Sequence, residues 1–142
     1  MRREPADRSD FRTWTQYSTR WADNDAYGHV NNTVYYLWFD SAVNGWLVEQ
    51  GLLDIQAGDP IALVVETRCS YFSPLAFPQD VDVGLALAEL GRSIMRYRIG
   101  VFALHSDTPA AQGEFVHVLV DRRSRRPVEI PAQWREALET LR

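Results

Sequence analysis

The chain has 142 residues, 46% of them hydrophobic, 12% aromatic and 24% charged, with 15 basic against 19 acidic side chains and a net charge of -4. That length fits one domain with a sizeable core, and the acidic balance argues against sequence-independent nucleic-acid binding, which needs a basic footprint. A single cysteine, Cys69, excludes an internal disulfide framework and a cysteine-rich zinc site. No apolar run reaches the 18 or so residues that a membrane span needs, and Met1-Arg-Arg-Glu-Pro lacks the apolar core of a secretory signal, so the expectation is a cytoplasmic protein.

Residues 1–10 carry Arg2, Arg3, Glu4, Asp7, Arg8 and Asp10 and no large apolar residue beyond Met1, which predicts a solvated, flexible N-terminal tail ahead of one domain over 11–142. Phe11 to Trp21 is rich in β-formers and reads as a first strand. The polar stretch Asp23-Asn-Asp-Ala-Tyr-Gly-His-Val-Asn-Asn32 follows. A helix is predicted over 33–50, capped by Asn31 or Asn32 and stopped by Gly51. Only Asp40 and Glu49 are charged in it, and its aromatic and aliphatic residues lie on more than one face. A helix apolar nearly all round is buried.

After a loop over 52–60, four strands are predicted: Ile61–Phe72, Gln79–Leu90, Ile94–Leu104 and Glu114–Asp121. The second alternates cleanly, with Val81, Val83, Leu85 and Leu87 on one face. Close spacing of the last three implies antiparallel neighbours. Pro131–Leu141 reads as a short C-terminal helix with proline at its start. The expected class is α+β: a five-stranded antiparallel sheet wrapped around one long central helix. The sheet covers one helix face, and the uncovered face points to a second subunit.

Several mechanisms lack their residues. There is no G-x-S-x-G elbow, no phosphate loop, no G-x-G-x-x-G, no H-E-x-x-H and no C-x-x-C. His29, His105 and His117 fall on different elements, so neither a metal nor an organic cofactor is expected.

The polar signal is concentrated in Arg20-Trp-Ala-Asp-Asn-Asp-Ala-Tyr-Gly-His-Val-Asn-Asn-Thr-Val-Tyr-Tyr36. This run resembles the signature that joins the first strand to the central helix in hotdog-fold acyl-CoA thioesterases of the 4-hydroxybenzoyl-CoA thioesterase-like family. Ser70-Tyr-Phe-Ser-Pro-Leu, Leu90-Gly-Arg-Ser93 and Val120-Asp-Arg-Arg agree with it, and the resemblance extends over roughly 11–128. It implies that Asp25, the second aspartate of D-x-D, is the catalytic carboxylate. It also implies that Gly28 shapes the turn, that the backbone N–H of Asn32 meets the thioester carbonyl, and that Asp23 holds the loop. The family further implies a site at a homodimer interface, in a dimer or a dimer of dimers.

The chemistry is independently reasonable. A helix N-terminus offers unsatisfied N–H groups and partial positive charge to a developing oxyanion, and each well-aimed donor there is worth about 2.7–4 kcal/mol. A carboxylate across a Gly turn from such donors could attack the carbonyl carbon or deprotonate a water. The leaving thiol, with a pKa of about 8.5, needs no strong general acid. The alternative for Asp25 is an Asx turn before Gly28. His29 could assist as a base or be satisfied by backbone. Tyr35 could line an acyl pocket together with Trp38, Phe39 and Trp46, or belong with them to the core. Arg122 and Arg123, with Arg125 and Arg126, form a basic cluster that could hold coenzyme A phosphates, and Arg92 is a comparable candidate. The expected substrate is an acyl-CoA, or an acyl-carrier-protein ester. Two competing functions are a hotdog hydratase or dehydratase, whose D-x-N-P-x-H spacing is absent here, and a non-catalytic acyl-thioester binder.

Overall fold

The computed structural model describes residues 3–142. Its elements run β1 (Thr13–Ser18), α1 (Asn32–Glu49), β2 (Ile61–Tyr71), β3 (Asp80–Leu90), β4 (Ile94–Ala103), β5 (Ala111–Val120) and α2 (Ala132–Glu139). The five strands form one sheet in the order β1-β3-β4-β5-β2, every neighbouring pair antiparallel. The sheet curls around α1 and is the hotdog arrangement. Register shifts at Val64/Glu66 in β2 and Leu87/Glu89 in β3 supply the local bends that let a pleated sheet wrap a cylinder.

The alternation in β3 sets its inner face: Val81, Val83, Leu85 and Leu87 are all buried, facing the core with Met95, Tyr97, Ile99 and Val101 of β4. From α1, Val34, Tyr35, Trp38, Phe39, Ala42, Val43, Trp46 and Leu47 enter that core. Their spacing is a stripe of i, i+1, i+4, i+5, the signature of one helical face. The opposite face is not covered within one chain: Leu37 is 57% exposed, and Tyr36 and Val48 are also open. The expectation of an all-round buried helix therefore holds for one face only. Helix α2 closes the end of the core with Trp134 and Leu138, and Leu141 just beyond it is buried as well.

The first strand ends at Ser18, three residues before the expected end, and two strand starts differ from the sequence expectation by more than one residue, both where aromatic rings pack against glycines. The first strand starts at Thr13, because Phe11 turns onto the outer face of the sheet and packs edge-on against Trp14 and Phe102. Its ring fills the space over Gly84 and Gly100, where a Cβ would lie 2.8 and 2.6 Å from it. The last strand starts at Ala111, three residues early, and includes Gly113, where any Cβ would collide with the Arg68 carbonyl and the Phe39 ring. Glycine reads as a strand breaker in sequence, but here close packing requires it.

Residues 3–10 lie on the same outer face. The Ala6 N–H donates to Gln112 Oε1 at 2.7 Å, and Arg8 pairs with Asp82 at 3.0 Å while its guanidinium stacks over Trp14 and Phe102. The first two residues of the expected tail fall outside the described range. No helix is long and apolar enough to cross a membrane among the described residues.

Candidate active site

The stretch from Arg20 to Asn32 is built on two aspartates with different duties. Asp23 is 2% exposed. Its carboxylate accepts from Arg20 N at 2.8 Å and from the Arg20 guanidinium at 3.0 and 2.8 Å, and its carbonyl accepts from Asn31 N at 2.8 Å. It ties the entry of the loop to the start of α1. Asp25 sits at the base of a tight reversal. Its N–H donates to the His29 carbonyl at 2.8 Å, and Gly28 N–H donates back to the Asp25 carbonyl at 3.1 Å. Gly28 has φ +81, a left-handed geometry that an L side chain adopts only at a cost of about 1–2 kcal/mol.

The Asp25 side chain completes an Asx turn: Oδ1 accepts from Tyr27 N at 2.8 Å and from His29 N at 3.4 Å. Oδ2 has no hydrogen-bond partner among the described residues. The structural and the chemical readings of Asp25 thus fall on different oxygens of one carboxylate.

The helix N-terminus shows the same division. Asn31 is the N-cap, its Oδ1 accepting from Thr33 N at 2.9 Å. Of the N–H groups no helical carbonyl can reach, Asn31's goes to Asp23, Thr33's to the cap side chain, and Val34's to the Asn31 carbonyl at 3.0 Å. The Asn32 N–H alone finds no partner among the described residues. The capping choice is what frees it, because Asn31 as cap places Asn32 at the first helical position.

Asp25 and Asn32 line one cleft of about 390 Å³ with His29, Val30, Tyr35 and the segment Tyr71–Pro74. Its aromatic wall is Tyr35, edge-on to Trp38 at 5.3 Å and to Tyr71 at 5.1 Å. Tyr71 reaches the helix start, its hydroxyl donating to the Asn32 carbonyl at 3.4 Å. Burial raises the Tyr71 hydroxyl above the ordinary tyrosine range, with a further push from Cys69. Burial takes Tyr35 to about 12 and the Cys69 thiol to about 11. None of the three becomes an anion near neutral pH, so the ionisable groups left in the cleft are Asp25 and His29.

The structure brings Asp25, Gly28, His29, Asn32 and Tyr35 together, and it does not bring the arginines to them. Arg92 stands in the β3–β4 turn, 4.0 Å from Glu129. The Arg122 guanidinium donates to the carbonyls of Gly58, Ile55 and Gln56 at 2.7–3.0 Å and clamps the loop before β2. Arg123 is exposed on the turn after β5. This turn lies beside Ile61, since Ile61 pairs with Val120, and the cleft lies at Tyr71. Ten residues of strand separate them, about 33 Å. Sequence reasoning noticed Ser70-Tyr-Phe-Ser-Pro-Leu but gave Tyr71 no part in the site. Its only local signal is an aromatic at a strand end before proline. Among the described residues no cluster of three His, Cys, Asp or Glu is placed to hold a metal ion.

Known proteins place this geometry in a family. The PA5185 protein of Pseudomonas aeruginosa is similar over 98% of this chain and 97% of its own, with 49% identity and a TM-score of 0.94. The PA2801 protein of the same organism is 26% identical over 89% of this chain and 98% of its own, with a TM-score of 0.83. Slr0204 of Synechocystis, a 1,4-dihydroxy-2-naphthoyl-CoA thioesterase, shares the fold at 20% identity and a TM-score of 0.79, over 88% of this chain and 93% of its own. No curated protein matches the sequence. The family model described as the thioesterase-like superfamily matches residues 19–138, nearly all of the domain and the whole of the cleft, so the chain belongs to the thioesterase-like superfamily and carries its hotdog fold.

Proposed function

We propose that this protein hydrolyses an acyl-CoA to the free carboxylic acid and coenzyme A. Family membership supports thioester hydrolysis. The observation that carries the finer reading is the pairing of one unengaged carboxylate oxygen, Asp25 Oδ2, with one unengaged helix-terminal N–H, that of Asn32, in the same cleft.

A thioester carbonyl oxygen placed on the Asn32 N–H gains a hydrogen bond and the positive end of α1 as negative charge develops on it. Asp25 Oδ2 then either attacks the carbonyl carbon, giving an anhydride that water hydrolyses after the thiolate leaves, or deprotonates a water that attacks the same carbon. The hydrogen bonds from Tyr27 and His29 to Oδ1 hold the carboxylate in one rotamer, so no rotational freedom is lost during the reaction. Coenzyme A thiolate departs without a strong acid, its thiol pKa of about 8.5 making it a good leaving group. His29, an exposed residue of the cleft lining, orients substrate or water. The cleft needs neither metal nor organic cofactor for this chemistry.

The uncovered face of α1 and the open edge of β2 support a homodimer, or a dimer of dimers, as the working assembly. The experiment is a panel of acyl-CoA esters with detection of released thiol. The expected result is turnover by the parent protein and loss of it in Asp25→Ala with the fold retained. Near-parental release by folded Asp25→Ala would overturn the carboxylate mechanism.

A further inference from the structure

The hydrolytic chemistry engages Asp25, Asn32 and His29 and leaves one polar atom of the cleft without a part, the hydroxyl of Tyr35. This residue is 3% exposed and lines the cleft. Its hydroxyl makes no hydrogen bond among the described residues. It is nevertheless open to the cleft, because the only sealed side-chain polar atom without a partner among the described residues is His117 Nδ1. Tyr97 is the contrast: it has no exposed surface, and its hydroxyl donates to Met95 Sδ at 3.7 Å. The fold gives its core tyrosine a partner and leaves the cleft tyrosine without one.

The neighbouring polar groups are committed elsewhere. Tyr71 turns its hydroxyl to the Asn32 carbonyl at 3.4 Å, and the Cys69 thiol is directed at the Ser70 carbonyl at 3.9 Å. The phenol cannot swing out toward solvent, since its ring is held edge-on by buried Trp38 and by Tyr71. Burial first, and the nearby Cys69 second, keep it protonated. It is therefore a neutral group, fixed in place, that both donates and accepts.

In the free protein such a hydroxyl can be satisfied by water. A substrate that fills the cleft expels that water. It must then offer a polar atom of its own or leave a buried hydroxyl unpaired, which is costly. An aliphatic chain laid over the phenol gains nothing from it.

We propose that the Tyr35 hydroxyl selects the acyl group, favouring an ester whose acyl part carries a hydroxyl or oxo oxygen over the plain hydrocarbon ester of the same skeleton. The inference rests on the acyl-CoA reading above and names the acyl class within it.

The place of Tyr35 says which part of the substrate meets it. The carbonyl sits on the Asn32 N–H, and Tyr35 follows three residues later, about 4.5 Å along the axis of α1. His29 on the same cleft is exposed, whereas Tyr35 is almost wholly buried. The coenzyme A arm has to lead out to solvent, so the acyl group is the part that leads inward. The oxygen that pairs with Tyr35 accordingly lies within a few bonds of the thioester carbon. A site with a fixed polar group penalises the analogue that leaves it unpaired, here by about 10- to 100-fold.

Matched CoA esters test this: butyryl against 2-hydroxybutyryl, 3-hydroxybutyryl and acetoacetyl, and phenylacetyl against mandelyl. In the parent protein at least one oxygen-bearing ester should exceed its plain counterpart in kcat/KM by about 10- to 100-fold. Tyr35→Phe removes only the hydroxyl and should bring that ratio close to unity, with the loss falling on the oxygen-bearing ester and the thermal melt preserved. A fall of equal size for every ester, the mark of a phenol that serves the pantetheine arm or the fold alone, overturns the proposal. So does a parent protein that prefers no oxygen-bearing ester.

A parent protein that turns over no CoA ester defeats the acyl-CoA reading instead. The ratio of Kd values for the same pairs, taken by calorimetry on the parent and on Tyr35→Phe, then judges Tyr35. Equal Kd values within each pair, or no binding at all, overturn its role.

Discussion

The loop at Asp25 and the turn at Asp121 use the same local chemistry for different ends. In each, an aspartate Oδ1 accepts two backbone N–H groups just ahead of it, from Tyr27 and His29 in one case and from Arg123 and Ser124 in the other. Each is closed by a residue with positive φ, Gly28 at +81 and Arg125 at +64. Yet behind Asp25 stands the N-terminus of an 18-residue helix with one unclaimed N–H, and no helix starts behind Asp121. An Asx turn can therefore be a turn or a site, and the neighbour in space decides which.

The sharpest way to break this comparison is the same substitution at both positions. Asparagine retains the Oδ1 acceptor, so both loops should keep their shape. We expect Asp25→Asn to lower kcat by about 10²–10⁴, the range for losing a positioned base, and Asp121→Asn to leave kcat at the parental value. Thiol-release kinetics with circular dichroism on both proteins check it, and equal losses would remove the distinction.

Acid separates the loops from the core. His117 is 1% exposed, wedged edge-on against Tyr97 and Phe115, and its Nδ1 has no partner among the described residues. Burial lowers its pKa to about 4 from an ordinary value of 6.5. The folded protein holds the ring neutral, and between those two values the unfolded chain binds a proton that the folded chain refuses. Stability should be full above pH 6.5 and fall as pH drops toward 4, by about 3 kcal/mol in all. Denaturant melts across this range, repeated on His117→Leu, should show the slope vanish in the variant. An activity loss on acidification that persists in His117→Leu then reports on the cleft.

The left-handed positions should respond in opposite directions. Gly28→Ala meets open space, with nothing within 4 Å of the added Cβ, so its cost is backbone strain alone, about 1 kcal/mol, with activity falling as the Asp25 loop shifts. Arg125→Gly relieves similar strain and should raise stability by up to about 1 kcal/mol. Thermal melts of the two variants give the signs directly. Smallest of all, Tyr71→Phe removes one long hydrogen bond to the Asn32 carbonyl and should cost under about 1 kcal/mol of stability. Its effect on KM for CoA esters shows whether the cleft uses that hydroxyl.

How far the sequence could be read depended on how local each interaction was. Asp25, Gly28 and His29 are joined by contacts within five residues, and Asn31 caps its own helix, so residue type and spacing were enough to single out that segment. The alternation of β3 likewise predicted its buried face. Phe11 and Gly113 were misread because their partners are far along the chain: a glycine that must admit a distant ring or carbonyl looks in sequence like a break. Tyr71 joins the site from a strand 39 residues after Asn32, with no periodic signal to mark it. Arg122 resembled a phosphate ligand until its guanidinium was found on three carbonyls of the preceding loop.

The order of elements, the reversal at Gly28 and the helix cap were set by the sequence itself, through backbone preferences and hydrogen bonds that close within a few residues. Tertiary structure alone decided that one carboxylate oxygen and one amide hydrogen would be left over in the same cleft. Leftover groups can be identified only when every other donor and acceptor around them has been assigned, and that assignment requires the whole fold.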